Sequence, residues 1–122
     1  MWRDFVRATF LLLGIIEKPT LVVRFVDRHP APEDMLEGVL IVVRGGRAYK
    51  WACFRCPGGC GHRFQLSLNP ARRPRWAVTT DWLNRPTLTP SVLQTTACRA
   101  HFWVRQGHVD WCADSGSHVG LN

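Results

Sequence analysis

The stretch Cys98-Arg-Ala-His101-Phe-Trp-Val-Arg105-Gln106-Gly107-His108-Val-Asp-Trp-Cys112 decides how this chain is read. Gln106-Gly107 is a two-residue connection with glycine where a tight hairpin turn needs it. The flanks His101–Arg105 and His108–Cys112 then form two antiparallel strands, with Arg105 facing His108 and His101 facing Cys112. Directly opposed residues share a face of the sheet. His101 and Cys112 are therefore expected to be neighbours, a few residues from Cys98.

The rest of the chain carries the same kind of signal. Thr20–Val26 and Leu36–Val43 are β-branched runs of strand length, separated by the breaker Pro30-Ala-Pro-Glu-Asp34. Ala48–Phe54 returns after the turn signal Gly45-Gly46. Arg63–Leu68 follows a glycine-rich loop and ends at Asn69-Pro70, and Trp76–Thr80 and Thr87–Thr89 flank an Asp81–Pro86 turn. Near the N-terminus, Phe5, Ala8, Leu12, Ile15 and Ile16 recur at helical spacing and are expected to dock a short helix on the core. The fold class expected is mainly β (small α+β): a compact antiparallel β domain stapled by one zinc site, with a short N-terminal helix. Residues 1–19 form the helical, apolar segment and 20–122 the zinc-binding β domain, with a loose tail after Asp114.

Composition narrows the function classes. The apolar content of 46% is that of a globular chain, and 122 residues allow one modest core. The apolar run Phe10–Ile16 follows Arg3 and Arg7 as in a signal peptide, but Glu17-Lys18-Pro19 stands where a small-residue cleavage site belongs. It is also far shorter than the roughly 20 residues a bilayer-spanning helix needs. No transmembrane segment is expected, and the cytoplasm is the expected location. In that compartment five cysteines point to metal rather than disulfides.

Cys53-Phe-Arg-Cys56-Pro-Gly-Gly-Cys60-Gly61 is the densest chemical signal. Glycines between closely spaced cysteines let the backbone bend until the sulfurs converge. Cys98-Arg-Ala-His101 supplies a second pair, and a structural zinc ion takes four tetrahedral sulfur or nitrogen ligands. Cys56, Cys60 and Cys98 are the expected ligands. Cys53, His101 and Cys112 compete for the fourth position, with Cys53 completing an all-cysteine set. Reduced, buried cysteines packing as small hydrophobes are the bland alternative.

From Leu21 onward the chain resembles a bacterial family catalogued as domain of unknown function 6527. The resemblance rests on Phe25-Val26, Leu36-Glu-Gly-Val-Leu40, Arg55-Cys-Pro-Gly-Gly-Cys-Gly61, Asn69-Pro70 with Arg72-Arg-Pro-Arg-Trp76, Thr89-Pro-Ser-Val92 and Cys98-Arg-Ala-His-Phe-Trp103. Family members typically read Cys-Pro-Cys-Gly-Cys-Gly at the first half-site; here Gly58 stands in place of the middle cysteine. Members look like companions of ubiquitin-like proteins and their activating and conjugating enzymes. The resemblance thus implies processing, removal or recognition of a ubiquitin-like modifier.

Two classes of function follow, and the residues add a third. In the first, a zinc-stabilised serine-type peptidase, Ser91 in Thr-Pro-Ser-Val is the nucleophile and His101 its base, because a hydroxyl is a weak nucleophile until a neighbour takes its proton. Asp110, Asp114 or Asp81 would orient the imidazole, and amides of the glycine loop would stabilise the oxyanion. The bond attacked would be the ester or amide at the modifier's C-terminus. In the second, the chain is a non-catalytic zinc adaptor, for which six tryptophans offer contact area, although most are expected in the core. The third is a nucleic-acid-binding zinc domain using Arg72-Arg73-Pro74-Arg75-Trp76, where cations beside an aromatic suit phosphate and base. The net charge of +7 permits this reading, but outside that group the basic residues are scattered.

Overall fold

The structure, a computed structural model, describes residues 2–14, 16, 18–95 and 98–116. A helix α1 (Trp2–Leu12) precedes eight strands: β1 (Val22–Val26), β2 (Val39–Gly45), β3 (Ala48–Arg55), β4 (Arg63–Ser67), β5 (Ala77–Thr80), β6 (Pro86–Leu93), β7 (His101–Arg105) and β8 (His108–Trp111). They form two four-stranded sheets, ordered β1-β2-β3-β4 and β5-β6-β7-β8.

The sheets share one apolar core. Leu40, Val42, Phe54 and Phe64 from the first meet Val78, Leu88, Phe102 and Val104 from the second. Phe102 is its hub, edge-on to Phe54, Phe64 and Trp111 at centroid distances of 6.3, 5.8 and 5.5 Å. These offsets are the geometry aromatic quadrupoles favour. Strand β2 is buried on both faces, which is why it reads Val-Leu-Ile-Val-Val without polar alternation. Its second face, Ile41 and Val43, packs with Met35 and Cys53 in a separate cluster.

Every strand pair is antiparallel except β1 with β2, which run parallel from Val22↔Val39 to Val26↔Val43. The expected antiparallel β domain is what forms, with this one parallel pair at its edge. The Pro30–Asp34 breaker is no hairpin turn; it belongs to a crossover that includes a 3-10 turn at Pro32–Asp34. Parallel neighbours need such a connection because the chain must return to the starting edge. The final hairpin follows the expected pairing, Arg105↔His108 through Phe102↔Trp111, with the Cys112 N–H donating to the His101 carbonyl at 2.8 Å. Gln106 and Gly107 both take positive φ, 48° and 79°, as a mirror-image two-residue turn requires. A side chain at Gly107 would also meet the Leu21 carbonyl at 2.6 Å.

Helix α1 forms where expected but does not dock as expected. No residue on it is buried, and Phe5 and Leu12 are 73% and 88% exposed; Ile15 lies outside the described residues, as does the tail from 117 onward. The helix is held instead by Arg7 donating to the Leu83 carbonyl at 2.9 Å, Asn84 donating to Asp4, and Phe10 edge-on to Trp82. These are peripheral contacts to the Asp81–Pro86 turn. The Asn84 and Arg7 hydrogen bonds outweigh burial and hold the Asp4 carboxyl below its ordinary value. A depressed carboxylate stabilises the fold above its unfolded pKa and ceases to as pH falls through the folded value. Acidification, or Asp4→Ala, is therefore expected to speed backbone hydrogen exchange in α1 while leaving the β core protected; equal exchange in both would refute this docking.

The tryptophans also depart from expectation. None is fully buried: Trp76 and Trp111 pack half-buried on the main core, Trp51 packs on the second cluster, and Trp2 and Trp82 are exposed. Among the described residues no helix is long and apolar enough to cross a membrane.

Candidate active site and metal centre

Strand β6 runs through Thr89-Pro90-Ser91 rather than stopping at Thr89. It pairs with β7 at Leu88↔Val104 and resumes at Val92↔Phe102, so the register shifts across the intervening residues. An irregularity of this kind changes the alternation of side chains and re-aims one of them. Leu88 and Val92 stay in the core while Thr89 and Pro90 are exposed and Ser91 is half-buried. Ser91 is fixed from behind by the Trp76 indole N–H, which donates to its carbonyl at 3.3 Å. Trp76→Phe keeps the ring but removes that donor, at a cost of about 1 kcal/mol. A lower melting temperature together with slower chemical modification of the Ser91 hydroxyl is expected; no change in either would show the bond to be idle.

His101 begins β7, adjacent to the end of β6 through Leu93↔His101. Its Nε2 lies 3.0 Å from Ser91 Oγ, and its Nδ1 lies 2.5 Å from Asp114 Oδ1. Hydroxyl, imidazole and carboxylate thus stand in a continuous chain. With Nδ1–H donating to the carboxylate, Nε2 is left as the acceptor facing Ser91. Asp114 reaches His101 because the chain turns sharply after β8, the Ser115 N–H donating to the Cys112 carbonyl at 3.0 Å. Ser115 then closes the turn, its Oγ accepting the His101 N–H at 3.1 Å. Sequence reasoning passes over Ser115; its only signal is its place beside an aspartate just past the hairpin.

The other two aspartates are engaged elsewhere. Asp81 accepts from the backbone N–H groups of Leu83 and Arg85 and pairs with the Arg85 guanidinium at 2.7 Å. Asp110 pairs with Arg105 at 2.9 Å. In the glycine loop, the Cys56 N–H donates to the His62 carbonyl and the Gly59 N–H to the Cys56 carbonyl.

An open groove of about 700 Å³ is lined by Tyr49, Arg75, Trp76, Thr89, Pro90 and Trp103, and so reaches the residue before Ser91 and the indole that donates to its carbonyl. A second cavity of about 740 Å³ lies between α1 and the cysteine loop. Ser91, His101 and Asp114 line neither. Trp76 packs part of its ring on the core, lines the groove with the rest, and has its N–H committed to the Ser91 carbonyl.

The sulfurs of Cys56, Cys60 and Cys98 lie within 4.8 Å of one another, and this trio could hold a metal ion. Cys56 Sγ and Cys98 Sγ are 3.7 Å apart. A tetrahedral ion with metal–sulfur bonds of about 2.3 Å spaces its sulfurs about 3.8 Å apart, so the residues fit such a group. Burial, together with hydrogen bonds from its thiol neighbours, pushes the Cys56 thiol up to about 12. Burial acts the same way on Cys60 but is outweighed by hydrogen bonds from Cys98, the His62 backbone and Cys56, so its thiol is lowered. A doubly charged ion would resolve this crowding by replacing the protons.

Cys53 does not join the trio. It sits inside β3, paired with Ile41, and both side chains belong to the second cluster while Phe54 points to the main core. Burial raises its thiol to about 11, and its sulfur lies 4.0 Å from His29 Nε2. His101 and Cys112, the other candidates for the fourth position, group with Asp114 rather than with the trio.

Neither the curated proteins nor the solved structures offer a match to this chain. Among protein families, residues 25–112 match one that agrees with the expected ubiquitin-like association but is not the unknown-function family named from the sequence motifs. The match covers the cysteine trio and both Ser91 and His101 and stops two residues short of Asp114. The chain belongs to the family described as the bacterial ubiquitination-like system serine protease, BubE.

Proposed function

We propose that this chain is a serine peptidase that cleaves the ester or amide bond at the C-terminus of a ubiquitin-like protein, with Ser91 as nucleophile, His101 as general base and Asp114 as the residue that orients it. The observation carrying this reading is the unbroken contact from Ser91 Oγ through His101 to Asp114. Such a constellation is recognised by geometry and roles rather than by order along the chain.

In the reaction, His101 Nε2 takes the proton of Ser91 as Oγ attacks the scissile carbonyl carbon. Asp114 stabilises the imidazolium that forms and keeps it aimed. Nε2 then gives the proton to the departing amine or alkoxide, and water repeats the cycle on the acyl-enzyme. The groove lined by Trp76, Pro90 and Trp103 offers an apolar wall for an extended tail and reaches Pro90, the residue before Ser91. Cys56, Cys60 and Cys98 would hold a structural zinc ion, since thiolate-rich sets are typical of structural sites and His- and Glu-rich ones of catalytic sites.

The test is a fusion of a ubiquitin-like protein to a reporter at its C-terminus. Release of the modifier with its mature C-terminus, identified by mass, supports the reading. Stable binding of the modifier without cleavage would favour a zinc adaptor that recognises it or its conjugation enzymes.

A further inference from the structure

Cys112 takes no part in the proposed chemistry, yet it stands beside it. Its thiol carries no disulfide, and its sulfur, a ring nitrogen of His101 and an Asp114 oxygen all lie within 4.8 Å of one another, with Nδ1 the nitrogen that meets Asp114. Three separately fixed elements bring them together: the first residue of β7, the residue just past β8 that bonds back to the His101 carbonyl, and the turn that Ser115 closes. Thiolate, imidazole and carboxylate form the mixed sulfur, nitrogen and oxygen set that a borderline-soft divalent cation prefers, with one tetrahedral position left open.

We propose that His101, Cys112 and Asp114 form a second, inhibitory site for a thiophilic divalent cation such as zinc, separate from the Cys56–Cys60–Cys98 centre. The inhibition rests on the serine peptidase reading; the binding does not.

The space is suitable. The Asp114 side chain is 71% exposed and that of His101 22%, so an ion reaches the site from solvent. Bonds of about 2.0–2.1 Å set nitrogen and oxygen ligands about 3.3 Å apart. The present 2.5 Å contact must therefore open by under an ångström, and the exposed Asp114 carboxylate can give that much.

The consequence for the triad follows from the two ring nitrogens. The metal takes the Nδ1 lone pair, so the single proton of a neutral imidazole must sit on Nε2. The Nδ1 proton leaves to solvent as Nε2 acquires one, and the Cys112 thiol releases its own. Nε2–H then donates to Ser91 Oγ instead of accepting from it, and Asp114 is engaged by the ion. No group remains to take the hydroxyl proton. The site is a brake, set by tautomer.

The test begins with protein carrying one equivalent of zinc and titrates it with Cd²⁺, following thiolate-to-cadmium charge-transfer absorption, and with Zn²⁺ by calorimetry. Wild type and Ser91→Ala are expected to bind a second equivalent, and Cys112→Ser to bind it roughly tenfold or more weakly while keeping the first. Labelling of Ser91 by a fluorophosphonate, which needs no knowledge of the natural substrate, is expected to slow about tenfold or more with the second equivalent in wild type. Cys112→Ser should label at the wild-type rate and ignore added metal. Loss of the first equivalent in Cys112→Ser would overturn the assignment, because Cys112 would then be the fourth ligand of the thiolate centre. So would a second equivalent that Cys112→Ser binds undiminished, or one that leaves Ser91 labelling unchanged in wild type. Should Ser91 fail to label even without added metal, the peptidase reading falls, while the titration still decides the site.

Discussion

Ser91→Ala is expected to lower the rate of modifier cleavage by about 10⁶, with melting temperature and bound metal unchanged. The contrast is the informative part. Ser91 lies on a strand whose core contacts come from Leu88 and Val92, so removing one hydroxyl takes away the nucleophile and little else. Asp114→Asn should cost less, about 10⁴. An amide at this position can no longer stabilise the imidazolium, and it favours the tautomer with the proton on Nε2. Asp81→Asn and Asp110→Asn should leave the rate within a few-fold, because their partners are Arg85 and Arg105. Equal loss from all three aspartates would mean that the fold, and not a triad, is being measured.

Cys98→Ser is expected to act in the opposite pattern, with metal, stability and activity falling together. Cys56 follows β3 of the first sheet, whereas Cys98 precedes β7 of the second, so an ion held between them ties the two sheets at one end. Loss of such a link belongs with the large destabilisations, about 4 kcal/mol or more. Activity follows because only two residues separate Cys98 from His101. A strong chelator should reproduce the effect on the wild type. Acid should favour metal loss, since protons compete for the thiols and the raised Cys56 holds its proton most firmly. Intact mass under native conditions, read beside a thermal melt, checks both. A variant that lost metal yet melted at the wild-type temperature would show the ion to be no staple.

Much of this was readable from local pattern. The Gln106-Gly107 turn dictates the last hairpin, and with it the meeting of His101 and Cys112. Ser91 and His101 stood out as a possible pair, and Cys56, Cys60 and Cys98 as a cluster. What escaped the sequence depends on non-local pairing. The β1 and β2 runs announce strands but not their relative direction, which the crossover after Pro30 sets. Cys53 looks like a ligand by its spacing from Cys56; it is removed from the trio because β3 continues to Arg55 and turns it to the far face. Helix α1 has a legible period, yet none of its residues is buried, and polar contacts to Leu83 and Asn84 set its seat. Among three eligible aspartates, only the turn closed by Ser115 selects Asp114.

The central claim is that Ser91 is a nucleophile activated by His101. The most direct measurement is the mass of the intact protein after reaction with a fluorophosphonate, followed by peptide mapping. A single adduct on Ser91, absent in His101→Ala that retains its metal, is the predicted result. Cleavage of the modifier by protein that takes up no adduct at Ser91 would contradict it.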